Sequence, residues 1–127
     1  YCDRKTGAYL GVYYFKSAED FIHDYLYPQE NGNRCDVRWL EVGSDVKLRV
    51  DAVGRAFEAG VHPYTLEELD AAKHSCDLPR HDYLTVNIDG GQQGVGGDVP
   101  AVATLKPQYK LPKMQTLTLR CALQFKK

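Results

Sequence analysis

Alternation of apolar and polar side chains is clearest near the C-terminal end of the chain. In TLTLRCALQF (116–125), Leu117, Leu119, Cys121, Leu123 and Phe125 alternate with Thr118, Arg120, Ala122 and Gln124. Period two sustained over that length predicts a strand with one face on a core and the other largely in water. VKLRV (46–50) repeats the pattern, with Val46, Leu48 and Val50 inward and Lys47 and Arg49 outward. CDVRWLEV (35–42) reads the same way, with Cys35, Val37 and Trp39 on the inner face and Asp36, Arg38 and Leu40 on the outer one. LTVNI (84–88) and AYLGVYYF (8–15) carry the β-branched and aromatic residues of two further strands.

One segment carries a helical signature. In HPYTLEELDAAKH (62–74), Thr65 and Glu68 stand at the capping-box spacing, so the threonine oxygen accepts from the third helical amide and the glutamate reaches back to the threonine amide. Leu66, Leu69 and Ala72 then share a face over about two to three turns. The helix is expected to end before SCDLPR (75–80), where Pro79 prevents easy continuation.

Glycine- and proline-marked loops separate these elements: NGN (31–33), DGGQQGVGGDVP (89–100) and KLPK (110–113). The pattern as a whole predicts a mostly β fold, an antiparallel β-sandwich with one short helix.

Composition narrows the function classes. A 127-residue chain that is 43% hydrophobic and 26% charged is one domain's worth and can bury a core. Its formal charge of −1 leaves no basic excess for phosphate neutralisation, which argues against nucleic acid as a partner. No apolar run approaches the roughly 20 residues that cross a bilayer, and no secretory signal pattern is present, so no membrane partner is expected. Cys2, Cys35, Cys76 and Cys121 contain no Cys-x-x-Cys pair and are expected as buried or half-buried thiols. His23, His62, His74 and His81 do not cluster as zinc ligands do.

Candidate chemistry is sparse. The glycine-rich run lacks the Gly-Lys-Ser/Thr of a phosphate loop. Acids are plentiful (Glu30, Asp36, Asp77, Asp82, Asp89, Asp98), but nothing in the spacing pairs two of them as glycoside hydrolysis requires. His81 beside Asp82 has no nucleophile elbow to serve and reads as a loop residue. Trp39, Tyr25 and Tyr27 have the ring faces that stack on sugars, although Trp39 is expected in the core.

Five motifs occur in one order: YCDRKTGAYLGVY (1–13), YPQENGNRCDVRWLEV (27–42), HPYTLEELDAAKH (62–74), LPRHDYLTVNIDGGQQGVGGD (78–98) and KPQYKLP (106–112). Together they resemble the C-terminal domain of the large β-galactosidases of glycoside hydrolase family two, over nearly the whole chain. The resemblance implies a supersandwich related to the galactose mutarotase fold, with residues 1–127 forming the C-terminal part of that single domain. It also implies a parent enzyme that cleaves terminal β-D-galactosides with retention, using two glutamates of a separate (β/α)₈ barrel. Such a barrel takes about 250 residues. No catalytic residue is therefore expected here, and the first residues are expected to lie inside the parent domain rather than at its start.

The same resemblance assigns a substrate loop to Gly94, Gly96, Gly97, Asp98 and Ala101, where Ala101 stands at the position of the family's sugar-platform tryptophan. It implies Na⁺ held by the backbone carbonyls of Tyr27, Pro28, Leu69 and Ala72, and Mg²⁺ with Na⁺ in the parent enzyme. Implied partners are a galactoside reached through the parent, the parent's remaining domains and further copies in a homo-oligomer, in a bacterial cytoplasm, periplasm or secreted setting. Gln29, Glu30, Asn31 and Gly32 are expected to shape a corner, and Arg34 and Arg38 to pair with acids across strands. A free-standing carbohydrate-binding module, or a mutarotase-like enzyme using His62 or His81, are the alternative readings.

Overall fold

The computed structural model describes residues 9–93, 105–113 and 118–127. The chain divides into two compact units. The first is built on Arg34–Glu58 and the described parts of Tyr1–Leu10 and Asp89–Lys127; the second on Gly11–Asn33 and Ala59–Ile88.

The described chain is mostly β, with two three-stranded antiparallel sheets and one short helix, as the β-sandwich class predicts. The strands are β1 (Arg34–Val37), β2 (Trp39–Gly43), β3 (Lys47–Ala52), β4 (Phe57–His62), β5 (Thr85–Asp89) and β6 (Cys121–Lys126). One sheet runs in the order β1-β4-β5, the other β2-β3-β6.

The β2-β3-β6 sheet shows what alternation achieves. Its register sets Val50 between Leu40 and Leu123, and Leu48 between Val42 and Phe125. Directly opposed residues share a face, so these six form one apolar surface. The opposite face carries Glu41, Arg49, Asp51, Gln124 and Lys126, with Trp39 opposite Asp51. Trp39 therefore lies on the charged face, not in the core.

The reason for that correction is local. Asp36 has φ of 55°, and Arg38 is a bend between β1 and β2, so the run 35–42 is two strands in two different sheets. The phase of the alternation resets at the bend. Trp39 remains 37% exposed, with the Arg49 guanidinium 4.6 Å from its ring centroid. At the β2–β3 turn, Gly43 has φ of 131°, and a Cβ there would collide with the Val46 carbonyl.

β4 alternates Phe57, Ala59 and Val61 with Glu58, Gly60 and His62, yet it is buried at every position. Glu58 and His62 are as deeply covered as the apolar residues, so the polar side of this strand does not face water. AYLGVYYF, in contrast, forms no strand over its described residues, and Tyr9, Leu10, Val12, Tyr13 and Tyr14 are exposed. Aromatic and β-branched content suits a pleated surface, but a strand also needs a ladder partner, and no described strand pairs with this segment.

The helix α1 (Leu66–Ala71) starts where the capping box places it. Thr65 Oγ1 accepts from the Glu68 amide (3.2 Å), and Glu68 Oε2 accepts from the Thr65 amide (2.8 Å). Leu69 and Ala72 are buried, while Leu66 is 41% exposed. The helix ends before SCDLPR, as expected, and is shorter than the expected two to three turns; Asp77 Oδ2 takes the amides of Lys73 (3.1 Å) and His74 (2.9 Å). Those are the donors that would have closed the next helical turn.

Candidate functional site

The corner at 27–33 is organised by Asn31. Its Oδ1 accepts from the His23 amide (2.6 Å) and its Nδ2 donates to the Gln29 carbonyl (2.9 Å). The Asn31 carbonyl in turn meets His62 Nε2 at 3.0 Å. A carbonyl only accepts, so Nε2 carries the proton and Nδ1 is the bare nitrogen. Nδ1 is buried without a partner among the described residues. Gly32 completes the turn with φ of 77°, and a Cβ there would lie 2.8 Å from the Phe21 carbonyl. The expected architectural role of Gln29–Gly32 is what these bonds provide.

The alternative histidine chemistry is not arranged among the described residues. His62 is only 1% exposed and committed to the corner. His81 Nε2 lies 2.8 and 3.0 Å from the two Glu68 oxygens, not beside Asp82, and its ring stacks on Tyr83 at 4.4 Å. Glu68 is already the helix cap. Its carboxyl is held below the ordinary value first by the Thr65 amide and then by His81.

The four carbonyl residues implied for a cation all lie in the second unit. Tyr27 is 64% exposed, and its carbonyl accepts from Gln29 Nε2 at 3.4 Å; Pro28 is buried. Leu69 lies in the last turn of α1 and Ala72 is its C-cap, where the intrahelical donors run out. Ser75, just beyond the helix, donates Oγ to the Tyr25 carbonyl at 3.4 Å, which ties that end of the helix to the approach to Tyr27. Neutral backbone carbonyls are the kind of oxygen ligand that a hard cation takes. Among the described residues, no group of three His, Cys, Asp or Glu side chains is placed to hold a metal.

A hollow of about 310 Å³ opens in the same unit, bounded by the corner on one side and by Tyr25, Tyr64 and Leu78 on others. Its rim carries the Arg80–Glu19 ion pair (3.1 Å). Tyr64 is 6% exposed, and burial, followed by the nearby Asp24 charge, pushes its hydroxyl above the usual phenol value.

In the first unit, a smaller hollow of about 210 Å³ sits where the glycine-rich run begins. Arg55 Nη2 donates to the Gly90 carbonyl (2.7 Å), and Gln93 Oε1 accepts from the Leu111 amide (3.2 Å). Gly94, Gly96, Gly97, Asp98 and Ala101 lie outside the described residues.

The strongest electrostatic cluster was not anticipated. Arg49 donates to both Asp51 oxygens (2.7–2.9 Å) and to Glu41 (3.0 Å), and Lys126 also reaches Glu41 (2.8 Å). Lys126 first, and Arg49 second, hold the Glu41 carboxyl down at about 2. Arg38, expected to pair, forms no ion pair among the described residues; its carbonyl accepts from the Ala52 amide. Alternation puts Arg49 outward but does not say which acids stand across from it; only the register does. Of the thiols, Cys35 is half-buried, whereas Cys76 and Cys121 are exposed, contrary to expectation; none of the three forms a disulfide among the described residues. Cys121 lies out because the apolar face of β6 is uncovered.

Comparison with known proteins gives these features a setting. A family described as the β-galactosidase small chain matches residues 1–123. A β-galactosidase of Halalkalibacterium halodurans is 39% identical over 119 residues, which is 92% of this chain and 12% of that protein. The β-galactosidase BgaC of Bifidobacterium adolescentis is 35% identical over 98% of this chain and 12% of its own length. A Vibrio cholerae β-galactosidase is 38% identical over 94% of this chain and 11% of its own length. The chain thus spans about 12% of the length of such relatives. It belongs to the β-galactosidase small-chain family.

Proposed function

We propose that the chain is a non-catalytic module of a β-galactosidase, which docks on the remaining domains of that enzyme and helps complete an active site for terminal β-D-galactosides. One observation carries the reading. The apolar face of the β2-β3-β6 sheet ends on Leu123 and Phe125, which are 62% and 79% exposed. Uncovered large side chains in register with a buried Val50 make a surface that needs a partner. Relatives in which the matching region is about 12% of the protein supply such a partner within one enzyme.

In this reading, the parent's two carboxylates perform retaining hydrolysis through a glycosyl-enzyme intermediate. This chain contributes position and shape. Gly94, Gly96, Gly97, Asp98 and Ala101 form the loop directed to substrate, and its root is braced by Arg55 and Leu111. Alanine at position 101 offers no ring face, so any aromatic platform comes from another part of the enzyme. Tyr27, Pro28, Leu69 and Ala72 would hold Na⁺ through their carbonyls. The ion would supply a positive charge that cross-links the corner to the end of α1. Mg²⁺ and assembly into a homo-oligomer belong to the parent enzyme.

Complementation tests the proposal. A Halalkalibacterium halodurans β-galactosidase truncated of its matching region is assayed on a chromogenic β-galactoside with and without this chain. Activity is expected only with both parts, and is expected to be lost with Leu123→Asp/Phe125→Asp. Turnover by the chain alone, or complementation indifferent to the double substitution, contradicts the proposal.

A further inference from the structure

We propose that the hollow of the second compact unit binds one hexopyranose ring, with Tyr25 against the apolar face of the sugar and Asp24 and Tyr64 on its hydroxyls. The volume of about 310 Å³ is at the small end of ligand clefts, which run from about 300 to 1,000 Å³, and suits a single ring. Tyr25 is 42% exposed and is met edge-on by His23 (4.7 Å between centroids, 78° between planes). That contact steadies the phenol ring, which lines the hollow. The Tyr64 ring is buried, yet its hydroxyl is neither sealed off nor partnered among the described residues. Asp24 lies close enough to act on that hydroxyl, and its carboxylate has no ion-pair partner among the described residues.

The chemistry of the lining selects the ligand class. Glu19 and Arg80 neutralise each other, so Asp24 leaves a net negative charge facing the hollow and disfavours a phosphate or carboxylate. A wholly apolar ligand would strand Asp24 and the Tyr64 hydroxyl away from water. An organic cation would satisfy Asp24 but make no use of a hydroxyl that can both donate and accept. A pyranose uses all three: C–H groups on the ring of Tyr25, one hydroxyl donating to Asp24, and a neighbour bonded to Tyr64. The inference does not rest on the docking reading, because no residue of the β2-β3-β6 sheet takes part.

The test is an NMR titration of the full, isotope-labelled chain with methyl β-D-galactoside, with tetramethylammonium and inorganic phosphate as separate probes. Saturable shifts are expected at residues 23–31 and at Tyr64, with a dissociation constant on the order of millimolar, and none from the other two probes. Asp24→Asn keeps the shape of the side chain and is expected to weaken binding about tenfold. Tyr25→Ala is expected to abolish binding while Tyr25→Phe retains it, with the dispersion of each variant's spectrum as the control for folding. Shifts confined to Gly94–Ala101, an absence of saturable shifts, equivalent shifts from either ionic probe, or binding that survives both Asp24→Asn and Tyr25→Ala would overturn the proposal.

Discussion

Removing the side chain of Asn31 strips a donor and an acceptor from one corner. The His23 amide and the Gln29 carbonyl both lose their partners, while the bond from His62 to the Asn31 backbone survives. Asn31→Ala is therefore expected to cost about 1–2 kcal/mol, read as a lower urea midpoint with an unchanged slope. Acid sensitivity also belongs to single residues. Glu41 is held at about 2 against an ordinary 4.5, by Lys126 and then Arg49. Asp51, Glu68 and Asp77 are shifted in the same direction. A depressed folded-state pKa contributes stability that is present above the unfolded value and lost as pH falls through the folded one. Stability is thus expected to decline from about pH 4.5 towards 2, and Glu41→Gln to flatten that decline in denaturation curves taken across the range. Of these partnerships only that of Thr65 with Glu68 was legible along the chain. Glu41 and Lys126 are far apart in sequence, and only the β2-β3-β6 register brings them together.

At the scale of elements, the capping box makes a sharp test. Thr65→Ala removes the acceptor for the Glu68 amide and is expected to cost about 1 kcal/mol. Thr65→Ser, which keeps the oxygen, is expected to restore most of it in the same melting experiment. This helix start was readable because its signal is local: two residues at a fixed spacing. So was β3, whose alternation is the face it presents. β4 has the alternation too, Phe57, Ala59 and Val61 against Glu58, Gly60 and His62, but over only six residues, and nothing in it announces that Glu58 and His62 would be buried as well. The split of 35–42 into β1 and β2 is marked in the residue types only by the adjacent apolar pair Trp39–Leu40, which breaks the alternation just after the bend at Arg38, where the chain passes from one sheet to the other. The hollow lined by Tyr25 and Tyr64 draws on segments from across the second unit, so no window of sequence contained it. The glycine-rich loop, conversely, owed its assignment to family resemblance.

For the whole molecule, the governing fact is an apolar sheet face with Leu123 and Phe125 uncovered, in a chain that spans about 12% of the length of its relatives. On its own the chain is expected to self-associate through that face. Leu123→Thr/Phe125→Thr, which keeps strand-compatible residues, is expected to leave a monomer by sedimentation. Within a β-galactosidase, the same face is the docking surface. Hydrogen exchange of the peptide spanning residues 118–127, measured with and without the truncated Halalkalibacterium halodurans enzyme, tests this most directly. The account predicts that β6 amides become protected on assembly, and that Leu123→Asp/Phe125→Asp abolishes the gain. Restored activity with β6 exchanging as fast as in the free chain would contradict it.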